Sequence, residues 1–342
     1  MHLDLRGHPL HTRSLSITLT QRADGRLDAH GEIVDLRKRG FVPVAGELQP
    51  SGVVHHMLLD GEIDPRTAVL DAIALRQPSV AFEATAVTGG ESCRDPADRI
   101  LGIVGARLDE TFARRLGAEI GGPRGCSHVL TLGHLLGSTV AWALARDRER
   151  FGEQPGRRPG ERVLRRDVVV DGAESDDRNI LLGLQLTELH YAPAPAIARP
   201  MDRFGASLEI RGLATVDLGR YAFGPVQLAE RWRTTADPNA AWRDRADVAA
   251  RLPGVSLMRG VSTALRECLG ESPADRPLQD GLLMLAPTLI QVFAALSPDG
   301  WSERALREGW LVGLGGQPDS CWMWRRGGPL ESARRPEDPN VP

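Results

Sequence analysis

Lysine is almost missing from this chain. Lys38 stands alone beside 41 arginines, which excludes a phosphate-cradling loop of the G-x-x-x-x-G-K-[ST] type. A Schiff-base enzyme would have to use Lys38, and that residue sits in the run Arg37-Lys38-Arg39, which reads as a solvated loop. Cysteine is scarce too. Cys93, Cys126, Cys268 and Cys321 contain no C-x-x-C pair, so a zinc ribbon or thioredoxin-type motif is ruled out. Four cysteines in 342 residues do not make a disulfide scaffold either. Neither sign of charge dominates: 42 basic against 45 acidic side chains leave a formal net charge of −3. With no basic stripe, a dedicated nucleic-acid partner is not expected, nor is a polybasic membrane anchor. The opening residues lack the apolar core of a signal peptide. The expected setting is a reducing cytoplasm with free thiols. Long apolar runs are short of a membrane span. Residues 128–145 carry no formal charge over 18 positions and 281–296 none over 16, below the roughly 20 a span needs. Both read as buried core helices, and no membrane partner is expected.

What is present is an ordinary globular composition, 42% apolar, long enough for two domains of about 150 residues. A shift of 153 residues aligns the chain with itself without gaps. Arg13 falls on Arg166, Ile33 on Leu186, Asp35 on Glu188, Met57 on Ile210 and Leu116-Gly117 on Leu269-Gly270. Duplication is the leading reading, and chance agreement of apolar patterns is the alternative. It divides the chain into a first repeat at 1–150, a linker at 151–162 rich in Pro, Gly and charge, a second repeat at 163–300, and a tail at 301–342. The last ten residues read as disordered. Each repeat opens with strands. Residues 14–20 alternate, Asp24-Gly25 marks a hairpin turn before 27–34, and 53–59 and 69–75 flank Asp64-Pro65. Helices follow. Leu101, Val104, Leu108, Phe112 and Leu116 fall on one helical face, residues 121–125 break that helix, and a second runs from Ser127 to Arg148. Strands followed by helices predict an α+β fold: two tandem repeats, each an antiparallel sheet followed by two helices, packed as an internal pseudo-dimer. A homo-oligomer is compatible with this.

The chemistry-bearing residues cluster in the first repeat. His55-His56-Met57 lies on a predicted strand, where His55 and Met57 share the inward face and His56 takes the other. Gly125-Cys126-Ser127-His128 opens the second helix. A cysteine there meets free N–H groups and the positive end of the helix dipole, conditions that favour thiolate. The plainer readings are a small core hydrophobe at Cys126, an N-cap at Ser127 and a buried backbone partner at His128. At the offset of 153 the second repeat keeps Arg166 and Glu188, but has Leu208 for His55, Gln279 for Cys126 and Gly281 for His128. A cluster kept on one side only points to function.

Three segments, Arg13-x-x-x-Ile17, Val54-His55-His56-Met57 and Gly125-Cys126-Ser127-His128-Val129, resemble the bacterial family classed as domain of unknown function 2889. Its pattern is an early R-x-x-x-I strand, an H-D-M segment and a late G-C-T-H-L at a helix start. His56 departs, since aspartate is usual there. Cys93 matches a cysteine before the first long helix. The likeness covers about residues 10–145 and implies lyase chemistry in bacterial aromatic-compound degradation.

The expected function is a small-molecule enzyme, a lyase or hydratase-type acid–base catalyst on an apolar or aromatic substrate, with no cofactor. His55 would be the acid or base. Cys126 and His128 would stabilise an anion at the helix start, and Arg13 would bind a substrate anion or pair with Asp35. The alternative is a non-catalytic ligand-binding or scaffold protein. A third reading makes Cys126, His128 and His55 zinc ligands, although no spacing specifies it. Six of seven tryptophans lie beyond residue 230, and the Trp322-Met323-Trp324 cluster would bury the tail against the second domain or form a lid.

Overall fold

Period-two alternation builds the first strand, β1 (His8–Gln21). His11, Arg13, Leu15, Ile17 and Leu19 are buried, while the intervening Thr12, Ser14, Ser16 and Thr18 are half-buried. Gly25, at φ +85°, turns the chain into β2 (Leu27–Arg37). A short hairpin of β3 (Val42–Val44) and β4 (Glu47–Gln49) precedes β5 (Gly52–Asp64) and β6 (Val69–Ser79). The later strands are β7 (Arg162–Glu174), β8 (Ile180–Tyr191), β9 (Phe204–Asp217), β10 (Ala222–Thr234) and the two-residue β11 (Arg243–Asp244). The computed structural model describes residues 5, 7–39, 42–44, 47–153, 155–175, 179–194, 197, 200–258, 260–270, 272–295 and 318–333.

Nine strands form one antiparallel sheet in the order β11-β10-β9-β8-β7-β1-β2-β5-β6. Its central seam is β1 against β7, paired from His8 to Thr20. The sheet therefore runs across the boundary between residues 1–150 and 163–300. One face carries the core, with Leu15, Ile33 and Met57 as cross-strand neighbours in a fully buried row. The described residues include seven α-helices: α1 (Phe112–Ile120), α2 (Ser127–Phe151), α3 (Ala246–Ala249), α4 (Val261–Leu269), α5 (Arg276–Leu283), α6 (Leu285–Ala295) and α7 (Pro329–Ala333). The fold is thus mixed α+β around a large antiparallel sheet. Helix α2 packs on β1, β2, β5 and β7, and α6 on β1, β2, β7 and β8. Two glycines of α2 face α1: Gly133 lies close against Leu116, and Gly137 lies against the Phe112 ring with no room for a Cβ. The helix Ser127–Phe151 and the segment Pro273–Ala295 are long and apolar enough to cross a membrane by length and composition. Their apolar windows are 61% and 67% buried inside the fold, the pattern of a core helix.

The long first helix expected through Leu101 and Leu116 is not formed. Ala97–Ile103 is a 3-10 turn, Leu101 and Val104 face solvent, and α-helix begins only at Phe112. Gly105 adopts φ +77° and its N–H donates to the Leu70 carbonyl, while Leu70 N–H donates to the Ala106 carbonyl. The segment satisfies its backbone by pairing with β6, and a helix cannot do both. The linker is tied down: the Arg157 side chain is buried, bonded to Asp147 and to the Tyr191 carbonyl. The tail expectation changes as well. Trp322 N–H donates to the Gly125 carbonyl, Trp324 meets Phe82 edge-on at 6.0 Å and Arg325 pairs with Glu91, so this segment packs on the first half rather than the second. Trp301, Trp310 and the last nine residues lie outside the described residues.

Candidate functional site

Sheet register assembles the site. Arg13 on β1, Asp35 on β2 and His55 on β5 are direct cross-strand neighbours, and His11 faces Arg37 one row further on. All five are buried. They continue the apolar row of the core face toward one end of the sheet. Between Asp35 and Leu36 the β2–β5 pairing slips, leaving Val54 as an extra residue. Such a bulge re-aims the side chains beside it. Above this row the start of α2 lowers His128.

Asp35 is the hub. Its Oδ1 accepts from Arg13 Nε at 2.8 Å and from His11 Nε2 at 2.8 Å. Its Oδ2 accepts from Arg13 Nη2 at 2.9 Å and lies 3.0 Å from His128 Nε2 and 3.5 Å from His55 Nδ1. The rings of His55 and His128 are stacked, with centroids 3.6 Å apart and planes 25° from parallel. Helix α6, from the second half, brings Gln291 Nε2 to 3.4 Å from His128 Nε2. Burial alone would raise the Asp35 carboxyl. The Arg13 charge and the bonds from His11, His128 and His55 outweigh it and hold Asp35 well below the usual carboxylate range. Burial pushes the imidazoles down. His11 and His55 are both lowered, and His128, also opposed by His55, falls to about 3. Near neutrality the centre is one Arg–carboxylate ion pair ringed by three neutral imidazoles. An ionised carboxylate only accepts, so His128 presents its protonated Nε2 to Asp35 and keeps a lone pair on Nδ1.

That lone pair faces Cys126 Sγ at 3.7 Å, and the sulfur also touches Met57 Sδ at 4.0 Å. Cys126 is the N-cap residue of α2 and Ser127 is exposed, so Ser127 is not the cap. The expected thiolate is not favoured. Burial pushes the Cys126 thiol up to about 12, against the pull of the backbone N–H groups of Val129 and His128. The crevice between Cys126 and Cys93 holds about 10 Å³, room for one water at most. Arg13 gives its Nε and Nη2 to Asp35, the ion-pair role, while its buried Nη1 has no hydrogen-bond partner among the described residues.

Asp35, His55 and His128 bring donor atoms within 4.8 Å of one another, a different set from the Cys126, His128 and His55 expected as zinc ligands. The geometry opposes a shared ion. Imidazole lone pairs lie in the ring plane, and two nearly parallel stacked planes do not converge about 2 Å from both nitrogens. Arg13 also occupies both oxygens of the carboxylate.

His11 is absent from the sequence expectations, and Arg37, expected in a solvated loop, is instead buried at the end of β2. Each lies two positions from a recognised residue on the same strand, so period-two alternation carries them to the same face. Nor is the second half without a polar centre. Arg166 pairs with Glu188 and with Asp280 at 2.6 Å. His190 Nε2 and Trp142 Nε1 each approach Glu188 Oε1 at 2.6 Å. Ser138 donates to Asp280, and Arg166 donates to Thr139 at 3.0 Å. The partners come from α2, β8 and α5, not from the positions aligned with His55 and His128.

Residues 11–141 match the family described as protein of unknown function (DUF2889). The match runs from His11 in β1 to Ala141 in α2 and takes in the whole Asp35 centre. It supports the resemblance carried by Arg13, His55 and Gly125 to Val129. Arg166, Glu188 and the rest of the second half lie outside the DUF2889 segment. No curated protein and no solved structure matches the chain.

Proposed function

We propose that this chain is a small-molecule enzyme using imidazole acid–base chemistry, of the lyase or hydratase type, on an apolar or aromatic substrate. The observation that carries the reading is the His55–His128 stack on an ion-paired Asp35. A neutral imidazole has a lone pair to accept a proton, and the Asp35 charge offsets the burial that lowers His55. Asp35 fixes the tautomer of His128 and stabilises whichever ring becomes charged, as an acidic partner does for a catalytic histidine. Arg13 locks the carboxylate. His55 is the group assigned to move the proton, with His128, Asp35 and Arg13 positioning it, and Cys126 is assigned to packing. The test is incubation with α,β-unsaturated aromatic acids in H₂¹⁸O, read by mass spectrometry. Label incorporation lost in His55→Ala supports the proposal. Binding of such acids without turnover, lost in His55→Ala, would move the protein to the second reading, a non-catalytic ligand-binding protein. The low exposure of His55 and His128, 4% and 7%, favours the scaffold form of the second reading, in which the cluster holds the fold together.

We also infer that the chain is a duplicated unit packed as an internal pseudo-dimer. Strand order reads alike outward from the β1–β7 seam: β1, β2, β5, β6 one way and β7, β8, β9, β10 the other. The cross-strand pair Arg13–Asp35 recurs as Arg166–Glu188. Ser138 touches the second-half cluster, and the residue 153 positions later, Gln291, touches the first. Reciprocal contacts of this kind mark an isologous interface.

A further inference from the structure

We propose that the pocket between the β5–β6 turn, α2 and the start of α5 binds a small monocarboxylate with an apolar body. The pocket is about 360 Å³ and open to solvent, within the range of small-molecule sites. It lies outside the Asp35 centre and shares no residue with it. Its apolar wall includes Leu108, Leu144 and Trp142.

Four arginines also line it: Arg66, Arg107, Arg148 and Arg276. Two are already engaged by carboxylates, Arg148 by Glu153 at 2.8 Å and Arg107 by Asp109 at 3.9 Å. The Arg66 guanidinium makes no hydrogen bond or ion-pair contact among the described residues, and its charge is felt only by Asp64 on the same turn. Arg276 spends only its Nε, which donates to Ser138 Oγ at 2.8 Å. Two guanidinium groups therefore remain available over an apolar wall, and guanidinium is the cation best shaped to hold a carboxylate. Asp109 and Glu110 at the same pocket keep the positive excess small, which suits a monoanion over a phosphate dianion.

The wall is also held in place. Trp142 Nε1 donates to buried Glu188, and Ser138, which receives Arg276, donates in turn to buried Asp280. The pocket's aromatic surface and one of its cations are thus fixed by the second-half ion cluster before any ligand arrives. Fixing a site in advance reduces the ordering cost of binding. The cluster, which has no assigned chemistry, acquires a role as the pocket's floor.

Calorimetric titration of the full-length protein with benzoate tests this, with inorganic phosphate and benzyl alcohol as comparison ligands. Benzoate should bind saturably, benzyl alcohol at least about tenfold more weakly because it lacks the charge-assisted bond, and phosphate at least about tenfold more weakly because it has no apolar body to lie on the wall. Arg66→Gln, a change on an exposed turn, should weaken benzoate by a similar factor, and Arg276→Gln likewise. His55→Ala should leave benzoate affinity unchanged, which separates this pocket from the Asp35 centre. Absence of saturable benzoate binding overturns the proposal, as does equal affinity in the wild type and both arginine variants. Phosphate binding as tightly as benzoate overturns the assignment to a monocarboxylate.

Discussion

Asp35 is fully buried and accepts four close bonds, so its partners depend on it more than it depends on any one of them. Asp35→Ala leaves Arg13 charged and unpaired inside the fold, and a loss of about 3–5 kcal/mol is expected in urea denaturation. The double change Arg13→Met with Asp35→Leu should cost less than Asp35→Ala alone, because no isolated charge remains. The imidazoles set the acid limb. His11, His55 and His128 all have folded values below the ordinary 6.5. Below pH 6.5 the unfolded chain therefore binds more protons than the folded one, and stability falls as pH falls. His128 alone, at about 3, accounts for about 2 kcal/mol between pH 6.5 and 5. Thermal melts from pH 7 to 5 should show a falling Tm, with a shallower slope in His128→Gln. At Cys126, thiol labelling at pH 7 should be slow, and partly exposed Cys268 should react first. The local residues place Cys126 at a helix start, and burial there opposes the thiolate that the helix dipole favours. A helix terminus can be inferred from local residues, whereas the burial that outweighs its dipole depends on Met57, sixty-nine positions away.

Strands were easier to read than helices, and the reason is local. Alternation in β5 needs only neighbours along the chain, so His55 and Met57 could be put on one face from their spacing. The segment 97–111 has helical periodicity as well, yet its backbone is taken by β6, a partner that no short window contains. Cross-strand register was likewise hidden, and with it the meeting of Arg13, Asp35 and His55 in one row. Helix α2 supplies the test at this scale. Gly137→Ala would drive a Cβ into the Phe112 ring. A loss of about 1–3 kcal/mol is expected from such overpacking, measurable by denaturant titration, with Asp35 geometry preserved because His128 lies more than two turns away.

Across the whole molecule, β1 and β7 tie the halves into one hydrogen-bonded sheet, and one cooperative unfolding transition is expected in calorimetry. Residues 1–158 expressed alone would carry β1 as a bare edge, an exposed pairing template. Light scattering should find that fragment dimeric or larger; a stable monomer would count against the pseudo-dimer reading. The 153-residue spacing raises the expectation of two like halves, while the single sheet that joins residues 1–150 to 163–300 is not legible in the sequence, because nothing local says which strand ends at an edge. The seam also has a topological consequence. Its two sides belong to one chain joined only by the connector after α2, and Arg157 pins that connector to Asp147 and Tyr191. Released from that pin, the β7 half of one molecule would find the same register on the β1 edge of another. Arg157 shortens the connector's free length, and a seam that any copy could complete is closed within its own chain.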